Sequence, residues 1–175
     1  MSKWNVDVTH TNVGFEIKHM MVSKVRGNFS DMEGTIEGDP RELENTKINF
    51  RVGIDSISTN NEDRDNHLRS ADFFEAEKYP NMTFESTNIK KVGDNQYELT
   101  GNLTIKDVTK ETTFDVEYLG EGTNPWGVEV VGFEASTTIS RKEFGLTWNQ
   151  ALETGGVLVG DDVKIQIDLQ VNPAS

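Results

Sequence analysis

Arg64-Asp65-Asn66-His67-Leu68-Arg69 gathers an acid, a base and two guanidinium groups along one short stretch. Three uses fit such a cluster. Mixed charges ordinarily form a salt-bridged surface, here pinning the segment to a rim through Arg141 or a nearby carboxylate. They could instead recognise the headgroup of a ligand. Acid–base chemistry by Asp65 and His67 is the weakest of the three, because no nucleophile or oxyanion donor accompanies them.

The other histidines add little catalytic promise. His10, His19 and His67 have a spacing that matches no common metal site. His19 alternates with Phe15 and Ile17 and is expected to point inward, as a hydrogen-bonded core residue or as a polar contact for a ligand in an apolar cavity. The chain has no cysteine, nucleophile elbow, His-Glu-x-x-His pair, EF-hand loop or phosphate-binding Gly-Lys-Ser/Thr. Gly155-Gly156-Val157-Leu158-Val159-Gly160 runs into Asp161-Asp162, which would repel a phosphate, and reads as a turn. No catalytic residue, metal ligand or cofactor is expected, and the protein reads as a non-enzyme.

Aromatic side chains carry the strongest binding signal. Phe73-Phe74, Tyr79, Phe84, Phe133, Phe144 and Trp148 exceed what is needed to close the ends of a small barrel, so some are expected to line an apolar site. Core packing is the competing fate of each one.

The elements that must position these groups are strands. Period-two alternation places Val13, Phe15, Ile17, His19 and Met21 on one face, and does the same for Ile48 to Ile54, Tyr97 to Ile105 and Val163 to Val171. Less regular runs lie at Trp4 to Val8, Val25 to Ile36, Met82 to Ile89, Thr112 to Tyr118 and Val128 to Ile139. Short links such as Gly93-Asp94-Asn95 and Lys106-Asp107 imply antiparallel neighbours. Closing such a sheet covers its apolar face and removes its edges, so an all-β, extended eight-stranded antiparallel barrel is expected, as a single domain over residues 1–175. Glycines and small residues on the apolar faces, Gly27, Gly34, Gly101, Ala135 and Thr137, fit either a cavity or strand bends. The one interruption runs from Asn60 to Phe84 and reads as a short helical lid.

Charge narrows the partners. Seventeen basic against thirty acidic residues give a formal charge of −13, which repels nucleic acid and anionic membrane surfaces. No apolar run approaches membrane-spanning length. The sequence enters strand-like alternation from Trp4 without a basic-then-apolar leader, on which a cytoplasmic location is expected. A homodimer is compatible with all of this.

Taken in order, the motifs resemble the YceI-like family along nearly the whole chain. They include Asp7-Val8-Thr9-His10-Thr11-Asn12-Val13-Gly14-Phe15, Val25-Arg26-Gly27-Asn28-Phe29, Arg64-Asp65-Asn66-His67-Leu68-Arg69-Ser70, Thr83-Phe84-Glu85-Ser86-Thr87 and Ser140-Arg141-Lys142-Glu143-Phe144-Gly145-Leu146. The resemblance implies a lipocalin-like barrel with a short helix that binds amphiphilic lipids, above all polyisoprenoids such as prenyl diphosphates or isoprenoid quinones, and no catalytic residues. Two departures are the missing export leader and Lys106-Asp107 where relatives often carry glycine.

The expected function is to bind, and to carry or store, such a polyisoprenoid or a fatty-acid derivative. Expected ligand contacts are Phe15, His19, Arg64 and His67, with the aromatics Phe73, Phe74, Phe84, Phe133, Phe144 and Trp148. The alternative is a stress-related interaction or scaffold protein with no bound ligand.

Overall fold

The computed structural model describes residues 3–19, 23–71, 73–146 and 159–174. Ten strand segments form one antiparallel sheet: β1 (Lys3–Val6), β2 (Asn12–His19), β3 (Ser23–Phe29), β4 (Met32–Glu37), β5 (Lys47–Gly53), β6 (Asn81–Gly93), β7 (Gln96–Ile105), β8 (Val108–Thr123), β9 (Glu129–Ser140) and β10 (Val159–Pro173). The order is β1-β4-β5-β6-β7-β8-β9-β10, closed by pairing of β1 with β10, while β2 and β3 continue from the far edge of β10. The ring therefore has eight strands, as alternation and closure predict.

The first two staves of this ring are each broken. β1 and β2 both run antiparallel to β10, with Val6 opposite Val171 and Val13 opposite Ile167, and a 3-10 turn at Val8–His10 separates them. Asp7 starts that turn by accepting a hydrogen bond from the Thr9 amide. Their partners β3 and β4 are split at Ser30 and Asp31, so the single run read from Val25 to Ile36 is two segments. β4 pairs with β5, but β3 reaches that side only at an Asn28–Ser58 bridge among the described residues. The ring is thus tightly sewn at the β1–β4 end and gapped at the β3 end. The chain between β5 and β6 fills the gap.

That connection holds the one α-helix among the described residues, α1 (Glu62–Arg69). Asn61 caps it by accepting from the Arg64 amide at 3.0 Å. Glu62, Asp63 and Asp65 lie in its first turn and His67 and Arg69 in its last, the order the helix dipole favours. The helical segment is shorter than the Asn60-to-Phe84 interruption, because β6 begins at Asn81.

Packing is uneven along the barrel. Trp4, Ile36, Leu43, Tyr97, Phe114, Phe133 and Val171 belong to a buried cluster that starts at the β1–β4 end and runs on to Phe73, Ile105, Ile139, Phe144 and Leu146. A 3-10 segment at Pro40–Asn45 covers that end, with Leu43 buried and Arg41 over the Trp4 ring at 5.7 Å. A second cluster, with Val13, Phe29, Met32, Ile54, Ile57 and Ala76, lies at the gapped side.

Three of the glycines on the apolar faces sit against phenylalanine rings. A Cβ on Gly27 would stand 2.5 Å from Phe15, one on Gly34 would stand 2.6 Å from Val6 and 2.7 Å from Phe50, and one on Gly101 would meet the Glu85 carbonyl oxygen first and then Phe84 at 2.5 Å. Each glycine makes room for a phenylalanine ring, and Gly101, beside the register shift between Ser86 and Asn88, also fits the strand-bend reading.

Candidate functional site

A cavity of about 550 Å³ opens at the gapped end, within the roughly 300–1,000 Å³ of small-molecule pockets. Its wall comes from inward positions of β2, β3 and β10: Val13, Phe15, Ile17, Val25, Phe29, Val163 and Ile165. Met82, Ile105, Ile139 and Leu146 close the other side. The roof is α1 and the turn after it, through Leu68, Phe73 and Phe74. Phe74 meets Phe29 edge-on at 6.4 Å, and Phe29 in turn lies 5.7 Å from Phe15, so aromatic contacts join roof to wall.

The roof is held by the charges of the motif. Asp65 is buried and its Oδ1 accepts from the Thr59 amide at 2.8 Å and the Thr59 hydroxyl at 2.6 Å. Arg64 donates through Nε to Thr59 Oγ1 at 2.9 Å. Arg69 donates to the carbonyls of Asp55 and Ile57. Asp65 and Arg69 thus fasten α1 to the chain leaving β5 through hydroxyl and backbone groups. Beyond the helix, Phe74 and Ala76 return amide hydrogen bonds to Leu68 and Arg69, which tucks Phe73 and Phe74 under it.

The polar residues of the lining are Lys18, Asn61, Asp63, Arg64, His67 and Arg141, with Lys18 on β2 between inward positions and exposed to solvent. Cations outnumber the single carboxylate of that lining, in a chain whose overall charge is −13. His67 packs edge-on against Phe73 at 5.0 Å. Arg141 is 2% exposed; its Nε donates to the Gly160 carbonyl at 2.7 Å and its Nη1 to that of Leu146. Burial lowers the Arg141 pKa, while the nearby Asp161 charge opposes the shift. Asp161 itself is held below the usual carboxylate range, first by the Ser140 hydroxyl at 2.7 Å.

Of the expected contacts, Phe15, Arg64, His67, Phe73 and Phe74 line this cavity. Phe84, Phe133 and Phe144 do not. Phe84 packs edge-on with Phe114 at 5.2 Å, Phe133 with Tyr118 at 5.7 Å, and Phe144 is 2% exposed in the same core. His19 ends β2 opposite Ser23, but its side chain, like the whole of Trp148, lies outside the described residues. Ile17, Val25, Phe29 and Ile165 were not singled out as contacts, although their alternation with Phe15 and across the neighbouring strands carried the signal. Nothing in the sequence marked Lys18.

His10 sits at the surface against Asp7, at 2.8 Å, while His67 belongs to the roof helix α1. Among the described residues no group of three or more His, Cys, Asp or Glu could hold an ion. Nor, among them, is any helix long and apolar enough to cross a membrane.

Comparisons with known proteins agree with this architecture. The chain is 47% identical to a UPF0312 protein of Staphylococcus epidermidis over 167 residues, 95% of each chain. Its fold superposes on the crystal structure of Burkholderia cenocepacia BcnA with a TM-score of 0.82 at 25% identity, covering 94% of this chain and 98% of that one. It also matches, in fold, a polyisoprenoid binding domain from Saccharophagus degradans, with a TM-score of 0.72 at 13% identity over 99% and 100% of the two chains. The model of the YceI-like domain matches residues 4–171, and the chain belongs to that family.

Proposed function

We propose that the protein binds an amphiphilic lipid, a polyisoprenoid such as a prenyl diphosphate or isoprenoid quinone, or a fatty-acid derivative, and carries or stores it without chemical change. The observation that carries this reading is the cavity itself: apolar walls from three strands and an aromatic roof, with Arg64, His67 and Arg141 among its few polar lining residues. Each buried CH₂ of a tail contributes about 0.8 kcal/mol, so a long chain is retained by its walls alone. The guanidinium groups suit an electron-rich headgroup. Similarity in fold to a polyisoprenoid binding domain supports the same ligand class. A cytoplasmic place of action belongs to this proposal.

Solvent extraction of the purified protein followed by mass spectrometry tests it. A long-chain amphiphile in stoichiometric amount is expected, bound less well by Phe74→Ala. A lipid-free extract from a protein that also refuses added prenyl and fatty-acyl lipids would sink the reading.

A further inference from the structure

At the end of the barrel away from the cavity, the β8–β9 hairpin presents apolar side chains to water. Trp126 at its tip is 83% exposed, Leu119 on β8 57% and Val128 37%. The tip is nevertheless well built. Asn124 Oδ1 accepts from the amides of Trp126 and Val128 at 2.9 and 3.0 Å, and backbone bonds link Asn124 with Val128 and Gly127 with Asn124. An ordered turn that displays an indole serves no interior packing, and exposed apolar groups rimmed by polar ones mark interaction surfaces.

The strands beside the tip are bare. Gly122 stands opposite Val130, and Gly120 opposite Gly132. A Cβ on Gly122 would meet nothing within 4 Å, and one on Gly132 only ordinary contacts, while neither residue has a positive φ. Gly120 is set apart by its φ of +133° at the register shift after Tyr118, which itself favours glycine, whereas nothing within the chain requires glycine at 122 or 132. Bare strand backbone is where another chain can approach closely.

Charge identifies the partner. On the same outer face, Glu117 is registered opposite Glu134, Glu134 opposite Asp168, and Asp115 opposite Glu98. Like charges directly opposite on neighbouring strands are destabilising, and Lys90, opposite Glu98, is the cation that register brings to this row. A second copy of the chain or an anionic membrane would be repelled.

We propose that the outer face of β8 and β9 docks a basic polypeptide segment, with Trp126 and Leu119 as apolar anchors and the Asp115, Glu117 and Glu134 carboxylates pairing with its lysines or arginines. Trp is the residue type most often found at the energetic centre of such contacts. The docking face and the cavity lie toward opposite ends of β9, Val131 and Ile139 being roughly 26 Å apart at the usual strand rise. Docking therefore leaves the cavity accessible.

The test is selection of a random linear peptide library on the full-length protein, followed by anisotropy titration of the enriched peptides. Enriched peptides are expected to combine Lys or Arg with apolar residues and to bind at least tenfold more weakly to Trp126→Ala. Asp115→Asn/Glu117→Gln should weaken them likewise, yet melt at a higher temperature than the parent because the repulsion is relieved. The proposal is overturned by absence of enrichment, by peptides without basic bias, or by basic peptides that Trp126→Ala binds equally well. It is also overturned by a double variant that melts no higher, or by sedimentation showing a dimer that Trp126→Ala dissolves, which would assign the face to a second copy.

Discussion

Phe15 and Gly27 stand directly opposite each other on β2 and β3, and the Phe15 ring covers the glycine so closely that a Cβ there would lie 2.5 Å from its Cζ and 2.8 Å from the Ser58 carbonyl. Gly27→Ala must push the ring toward the cavity or part β3 from Ser58. Overpacking of this kind costs about 1–3 kcal/mol. Urea unfolding should show that loss, and displacement of a fluorescent fatty acid should show weaker retention.

Phe74 and Phe84 separate lining from core. Phe84 is 8% exposed against Phe114, and Phe84→Ala should cost about 3–5 kcal/mol. Phe74 is half-buried at the cavity roof, so Phe74→Ala should lose less stability and more lipid. Paired denaturation and retention measurements on the two variants check the contrast.

Asp65 holds the roof by serving two donors of Thr59. Asp65→Ala leaves the buried Thr59 amide without its acceptor, at a cost of about 1–3 kcal/mol. Hydrogen exchange should rise first between Ile57 and Ala76, before the strands are affected. Uniform exchange across the barrel would contradict a local fastening role.

Asp161 makes stability depend on acid. Its folded pKa lies below the ordinary carboxylate value, chiefly through the Ser140 hydroxyl. Its contribution is therefore complete at neutral pH and is lost as pH falls below that ordinary value and through the depressed one. Asp161→Asn should melt lower than the parent at pH 7, and the gap between the two should close on acidification. A gap that widens in acid would reverse the sign.

Much of the frame was legible because alternation is local. Val13-Phe15-Ile17 and Tyr97-Leu99-Leu103 announce their faces without any knowledge of neighbours, and eight strands with one apolar face leave closure as the economical arrangement. Which aromatics line a void was not legible. Phe74 and Phe133 are the same residue type, and only the fold decides that one, in the turn after α1, roofs the gap beside β3 while the other, on β9, packs on Tyr118 in the core. Gly27, Gly34 and Gly101 show the same limit, since the rings that need their space come from a neighbouring strand. Arg141 reads as a surface charge in isolation; its burial follows from carbonyls at Leu146 and Gly160 that converge only in the fold.

The Asn28–Ser58 bridge has a kinetic consequence. Its two hydrogen bonds, at 2.9 and 2.8 Å, join β3 to the chain beneath the roof, and such a pair is worth only about 1–3 kcal/mol net. Parting them would open the wall sideways without disturbing the closed staves. For the lipid tail of the proposed function this would be a lateral exit, so residence time would follow the strength of this seam while affinity would follow the depth of the walls.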